Sequence, residues 1–378
     1  MAQTEYRQCA ISVMDTIADP GISFDDKGIC NYYYEYKQAE ERDVLRGKEA
    51  EEKISNLVAE IKKAGAGKPY DCLIGVSGGV DSTYVAYLVK ELGLRPLAVH
   101  LDNGWNSELA VKNIETLVNK LGIDLYTIVV NWEEFRDIQL SYLKASVVDI
   151  EVVSDHAIFS AMNKVAMEKK IQYVINGTNV VTEHVMPKSW LYTKMDYANL
   201  KDIHSHYGKM KIKTFPTQPF WKYVYYSAFL KLKSIPILNY IDYKKDAVKE
   251  LITTQLGWRD YGGKHYESIF TKFYQAYILP QKFGIDKRKA HLSNLIFSGQ
   301  ITKEEAIEEL KQPLYAADEL AADIEYVCKK FGITQEEFTA IMQSPIRKHS
   351  DFKSDIPLKN RWMKILSATK PIRKILSR

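Results

Sequence analysis

Cysteine is scarce in this chain: Cys9, Cys30, Cys72 and Cys328 are the only four in 378 residues. Thiols so few and so scattered exclude a disulfide framework and point to a reducing compartment. Glycine (19) and proline (12) are sparse as well, and with 46% hydrophobic and 26% charged residues the composition excludes disordered, collagen-like and mucin-like classes. No stretch approaches the ~18 apolar residues of a membrane span. The opening MAQTEYRQCAISVMD places acid and polar groups where a secretion signal needs an apolar core, so a cytoplasmic protein is expected. A large excess of one charge is also missing. With 52 Lys and Arg against 48 Asp and Glu the net charge is +4, too small for a chain that wraps nucleic acid over its whole surface. The length suits two or three domains of roughly 150 residues each.

What is present is patterned. From Tyr70 to Gly177, runs rich in Val, Ile and Leu alternate with segments of helical period, the mark of a parallel sheet flanked by helices. The expected strands are Asp71 to Val76, Pro96 to Leu101, Asp124 to Val130 and Tyr173 to Asn176. Helices are expected over Ser82 to Leu92, Ser107 to Leu121 and Ser154 to Lys170, the last capped by Ser154 and Asp155. The fold class is therefore α/β with a parallel, doubly wound sheet. Five segments follow: a small N-terminal module over 1–42, an amphipathic linker helix over 43–69, the sheet domain over 70–186, an aromatic-rich helical domain over 187–345, and a basic tail over 346–378. From Arg347 on, ten Lys or Arg face only Asp351 and Asp355. Trp362, Ile365, Leu366, Ile372, Ile375 and Leu376 interleave with them, a composition that suits either acidic lipid headgroups at the inner membrane or a solvated strap.

One motif carries high information: Val76-Ser77-Gly78-Gly79-Val80-Asp81-Ser82, between a strand and a helix. The glycines let backbone amides approach a phosphate, the helix start offers free N–H groups, and Ser77 and Ser82 add hydroxyls. Asp81 suits Mg²⁺ bridging phosphate oxygens. No Lys follows the glycines, so the loop is not of the Walker type. Asp102-Asn103-Gly104 and Gly177-Thr178-Asn179 end two further strands at the edge where ligands collect in open parallel sheets, and Glu183 lies within a turn of the second. Downstream, Lys264, His265, Lys287, Arg288 and His291 form a cationic group suited to a polyanion or, equally, a charged helix face. Glu267 sits beside the first pair.

The Ser-Gly-Gly-x-Asp-Ser string resembles the signature of pyrophosphate-loop (adenine nucleotide alpha-hydrolase-like) ATPases. That resemblance implies ATP cleavage between the α and β phosphates and adenylation of a substrate oxygen. The chain further resembles the N-acetyl sugar amidotransferases of the WbpG and PseA type. The likeness runs through Met14-Asp15-Thr16, the segment from Asp19 to Asn31, the phosphate loop, Asp102 to Trp105, Asn176 to Asn179 with Glu183, Lys264 to Ser268, and Phe283 to Thr302. It implies conversion of an acetamido group on a nucleotide-activated sugar to an acetamidino group, in bacterial surface polysaccharide (O-antigen) or flagellar glycan synthesis. ATP activates the amide oxygen and ammonia displaces AMP. It also implies ATP and Mg²⁺ as cofactors, with Ser77, Asp81 and Ser82 catalytic. Val76 to Ser82, Asp102 to Gly104 and Gly177 to Asn179 would hold the nucleotide, while Glu183, Lys264, His265, Glu267, Lys287, Arg288 and His291 would hold the sugar substrate.

Without an early cysteine nucleophile, the chain is not expected to hydrolyse glutamine. The resemblance implies a separate glutaminase, HisH-like, with a HisF-like subunit delivering ammonia, and no nucleic-acid partner. Relatives carry two Cys-x-x-Cys pairs in the N-terminal module; here Ser12 and Tyr33 stand at the second positions, so no structural zinc is expected. The alternative within the same superfamily is a tRNA-thiolating enzyme, which needs catalytic cysteines.

Overall fold

The computed structural model describes residues 5–230, 232–262 and 266–376. Five parallel strands form the sheet: β1 (Cys72–Gly75), β2 (Pro96–Asp102), β3 (Asp124–Val129), β4 (Tyr173–Asn176) and β5 (Lys233–Pro236), in the order β3-β2-β1-β4-β5. The winding reverses between β1 and β4, which opens a crevice at their carboxyl ends. The helices up to β4 are α1 (Asn31–Asp43), α2 (Gly47–Ala64), α3 (Val80–Glu91), α4 (Glu108–Leu121), α5 (Trp132–Ala145) and α6 (Val152–Glu168).

Both faces of the sheet are buried, and the period-two alternation of strand side chains sorts them. Leu73, Leu97 and Val99 pack on Met162, Val165 and Ala166 of α6. Ile74, Ala98 and Ile175 face the other way, onto Val85 and Val89 of α3 and Ile114 and Leu117 of α4. A strand covered on both faces reads as one apolar run, which is why the central strands β1, β2 and β4 are visible in the sequence, while the edge strand β3 shows through its Val, Ile and Tyr content although its side chains are largely exposed.

Three features differ from the sequence expectation. Strand β5 pairs with β4 beyond Pro187, where the strand rhythm fades. It is a four-residue edge strand with Lys233 at its start and Pro236 at its end, traits that blunt an edge and hide it from pattern reading. Helix α5 also goes unpredicted, although Asn131 caps it by accepting from the Glu134 amide at 3.1 Å. Helix α6 starts at Val152 with no side-chain cap; Asp155 lies inside it and pairs with Lys194 at 3.0 Å instead.

A second, larger core joins the N-terminal module (Cys9, Met14, Tyr36) to α5 and to helices beyond Pro187 through Trp190, Phe270 and Phe331. Inside the module the Cys30 amide donates to Cys9 Sγ at 3.3 Å, and both thiols are free and fully buried. The last helix, Ile356–Leu376, turns Trp362 inward, where its Nε1 donates to Ser227 Oγ at 3.0 Å. Leu358, Met363 and Ile365 are exposed, while the side chains of Ile372, Ile375 and Leu376 lie outside the described residues. Among the described residues no helix is long and apolar enough to cross a membrane.

Two buried histidines make the fold acid-sensitive. His156 presents Nδ1 to the Lys194 carbonyl at 2.9 Å and Nε2 to the Gln218 amide at 3.2 Å, a pattern that only the neutral ring satisfies. Burial lowers it to about 4. His349, stacked on Tyr192 at 4.0 Å, is likewise lowered by burial to about 4. A histidine depressed in the fold contributes stability above its unfolded value near 6.5 and loses it as pH falls through the folded value. Urea denaturation is therefore expected to show stability dropping between about pH 6.5 and 4, by about 3 kcal/mol for each ring. A flat profile over that window would contradict the neutral assignment.

Candidate active site

The chain leaves β1 at Gly75 and enters α3 at Val80, with Gly79 as the N-cap. Gly78 is required twice over: its φ is +81°, and a Cβ there would lie 2.5 Å from the Ala110 carbonyl oxygen. Its own carbonyl accepts from Trp258 Nε1 at 2.8 Å. The two serines meet across the turn, Ser77 Oγ and Ser82 Oγ being 3.2 Å apart. The Gly79 amide donates to Ser77 Oγ at 3.2 Å, and Ser82 Oγ donates to the Gly79 carbonyl at 3.1 Å. Hydroxyls and helix-start amides thus converge on one point, the arrangement that binds phosphate.

Asp81 follows in the first turn of α3, so its carboxylate stands beside that point. The buried Tyr243 hydroxyl donates to its Oδ1. Burial, then the Asp81 charge and that of Glu183, push the Tyr243 hydroxyl far above its ordinary range, so it remains a proton donor. Gly177 lets the second loop lean on α3: a Cβ there would lie 3.0 Å from Asp81 Cβ. Thr178 donates from its amide to Asn176 Oδ1 at 3.1 Å, and Asn179 caps a short helix by accepting from the Thr182 amide at 2.8 Å. Glu183 ends that helix. Among the described residues no three ligating side chains are gathered into a ready-made metal cage. Asp81 is the residue that would hold Mg²⁺ here were it bound with a nucleotide, and the ion would supply charge neutralisation.

The third loop is pinned from outside. Asp102 Oδ1 accepts from the Gly104 amide at 2.9 Å, and Asn103 Oδ1 from the Trp105 amide at 3.1 Å. Gly104 has φ +77°, and a Cβ there would strike the Trp132 ring at 2.9 Å. Lys330 donates to the Gly104 carbonyl while its ammonium lies 4.8 Å from the Trp105 ring centre and 4.4 Å from that of Trp132.

Of the cationic group, Lys287 and Arg288 are each taken up by partners of their own. Lys264 and His265 lie outside the described residues. Lys287 is buried and paired with Glu151 at 2.8 Å. Arg288 grips Asp286 at 2.8 Å and caps the end of helix Lys303–Lys311, donating to the Gln312 carbonyl at 2.8 Å and the Glu309 carbonyl at 3.3 Å. With its donors engaged in this way, Arg288 acts as a helix staple in this structure. His291 is half-buried on the same helix as Arg288. Glu267 does reach the phosphate loop. Its Oε1 lies 3.6 Å, and Tyr261 Oη 3.2 Å, from where a Cβ on Gly79 would stand.

Residues 267–366 match the family described as LPS biosynthesis protein WbpG-like, C-terminal domain, and residues 49–198 match NAD synthase. A tRNA(Ile)-lysidine synthase of Chlamydia pneumoniae is 38% identical over 71 residues, 18% of this chain and 22% of that protein. A tRNA-specific 2-thiouridylase of Caldanaerobacter subterraneus is 26% identical over 198 residues, 47% of this chain and 49% of that protein. The chain thus spans about half or less of the length of these curated relatives. The structure of an NMN synthetase from Francisella tularensis covers 80% of this chain and 98% of its own, at 16% identity and a TM-score of 0.37. With the parallel sheet, the loop at its switch point and the match to NAD synthase, the chain is a pyrophosphate-loop protein. Its C-terminal segment, residues 267–366, is similar to the WbpG-like C-terminal domain.

Proposed function

We propose that this protein is an ATP-dependent amidotransferase of surface-polysaccharide synthesis. It would adenylate the oxygen of an acetamido group on a nucleotide-activated sugar and let ammonia displace AMP, leaving an acetamidino group. The observation that carries this reading is the conjunction of the phosphate loop at the β1/β4 switch point with a WbpG-like C-terminal segment whose first residue, Glu267, faces that loop. An amide carbonyl is a poor electrophile. Adenylation makes its oxygen a leaving group, while Ser77, Ser82 and the first amides of α3 stabilise the charge gathering on pyrophosphate. Mg²⁺, when bound with ATP, would share that charge. Ammonia would come from a separate glutaminase and its delivering subunit.

The thiolating alternative is disfavoured by the state of the thiols. All four are buried; burial pushes Cys72 up to about 12 and Cys328 upward as well, and although the contact with Cys30 lowers Cys9, that thiol is fully enclosed in the N-terminal module, so none is exposed to carry sulfur. The decisive experiment incubates acetamido-bearing UDP- and CMP-sugars with the protein, Mg·ATP and ammonium, following sugar mass and AMP together. Exchange of one oxygen for NH with an equal amount of AMP is expected. AMP formed only with tRNA and a sulfur donor would transfer the protein to the alternative.

A further inference from the structure

The phosphate loop has a competitor for its ligand within the chain. Trp258 bonds the Gly78 carbonyl, and the next residue is clamped to α4 on both sides: the Arg259 amide donates to Asn113 Oδ1 at 3.0 Å, and its carbonyl accepts from Asn113 Nδ2 at 2.9 Å. This fixes Tyr261, packed edge-on against Trp258 at 5.6 Å, with its hydroxyl over Gly79. On the other side the Glu267 carbonyl accepts from the Ser107 amide at 2.9 Å and the Ile269 amide donates to the Trp105 carbonyl at 2.9 Å. Those two bonds hold Glu267 against the same glycine. A carboxylate and a phenol oxygen therefore stand where the α3 amides and the two serine hydroxyls converge, the place an incoming phosphate group must take. Meanwhile the loop's own donors are turned on one another, the Gly79 amide to Ser77 and Ser82 to the Gly79 carbonyl.

We infer that Glu267 and Tyr261 compete with pyrophosphate for the loop, so that nucleotide affinity is set by how readily the start of the C-terminal segment yields its place. The inference rests on the pyrophosphate reading of the loop and adds two residues that govern it. Its chemical logic is charge: a fixed carboxylate repels the phosphate oxygens that the loop attracts. Displacement of Glu267 by the nucleotide would also loosen the Ser107 and Trp105 contacts, which links the loop to the end of β2.

The test is calorimetry of the full chain with inorganic pyrophosphate, once in chelator and once with Mg²⁺, on wild type, Glu267→Gln and Tyr261→Phe. Metal-free pyrophosphate is expected to bind Glu267→Gln roughly tenfold more tightly than wild type. Tyr261→Phe, which removes only one oxygen, is expected to gain roughly threefold. Metal-free affinity unchanged or reduced in Glu267→Gln overturns the inference. A loss confined to the Mg²⁺ samples also overturns it, since Glu267 would then be helping to hold the metal. If wild type binds neither pyrophosphate nor Mg·ATP, the nucleotide reading itself fails, an outcome distinct from a wild type that binds and variants that do not differ from it.

Discussion

Asp81→Asn is expected to lower AMP formation roughly a hundredfold to a thousandfold while the protein stays folded. The substitution keeps shape and one carbonyl oxygen, so the Tyr243 hydroxyl still has an acceptor and the contact with Gly177 is unchanged. What disappears is the negative charge beside the phosphate seat. Mg²⁺ would then be held by phosphate oxygens without this carboxylate, and the charge building on pyrophosphate would be less well met. Because that charge grows toward the transition state, kcat and kcat/KM should fall together, with a smaller change in the KM for the sugar. Thermal denaturation alongside the assay separates chemistry from unfolding. A wild-type rate in a folded Asp81→Asn protein would remove Asp81 from the site.

Tyr243, which holds Asp81, shows where legibility ends. The phosphate loop could be read locally because its demands are local: a glycine at positive φ, hydroxyls one turn apart, a strand before and a helix after. Tyr243 meets Asp81 across 162 positions, Trp258 meets Gly78 across 180, and Lys330 meets Gly104 across 226. No neighbouring motif marks any of them, and only the fold brings them in. The run from Lys287 to Lys289 is ambiguous in the opposite way. Its composition suggests a polyanion site, yet adjacent residues on a helix point about 100° apart. Each found a different partner: Glu151, Asp286 and, for Lys289, Asp15. Charge in a sequence shows that partners are needed without showing which. The same contrast separates the central strands β1, β2 and β4, whose burial is written as Val, Ile and Leu, from the edge strand β5, whose Lys-Ser-Ile-Pro sequence leaves no such trace.

The largest stability effect is expected beneath the third loop. Lys194 pairs with the buried Asp149 at 2.8 Å and with Asp155 at 3.0 Å, and the Tyr192 amide adds a bond to Asp149 at 2.7 Å. Burial pulls the Lys194 ammonium down, but Asp155, Asp149 and Glu151 together outweigh it and raise it on balance. Burial raises Asp149 above the usual carboxylate range even with the lysine present. Lys194→Met keeps the stem and removes the charge, leaving Asp149 ionised without its counter-ion. Breaking a buried pair in this way costs about 3 to 5 kcal/mol. The pH dependence follows from the sign. Without Lys194 the folded-state value of Asp149 rises further, so the loss is fully felt near pH 7.5 and shrinks as acid protonates the carboxyl. Urea denaturation of Lys194→Met should show a deficit clearly smaller at pH 4.5 than at pH 7.5, and adding Asp149→Asn should recover part of it at the higher pH. An equal deficit at both values would mean that lost packing, and not the stranded carboxylate, is responsible. Ser154 and Asp155 are neighbours on α6, and Ser154 Oγ accepts from Asn103 Nδ2 at 3.4 Å, so the charge network lies directly under the Asp102–Gly104 loop. The same variant should therefore raise the KM for ATP at pH 7.5 before it unfolds, since Asp155, next to Ser154 on the helix turn that steadies that loop, loses Lys194 as well.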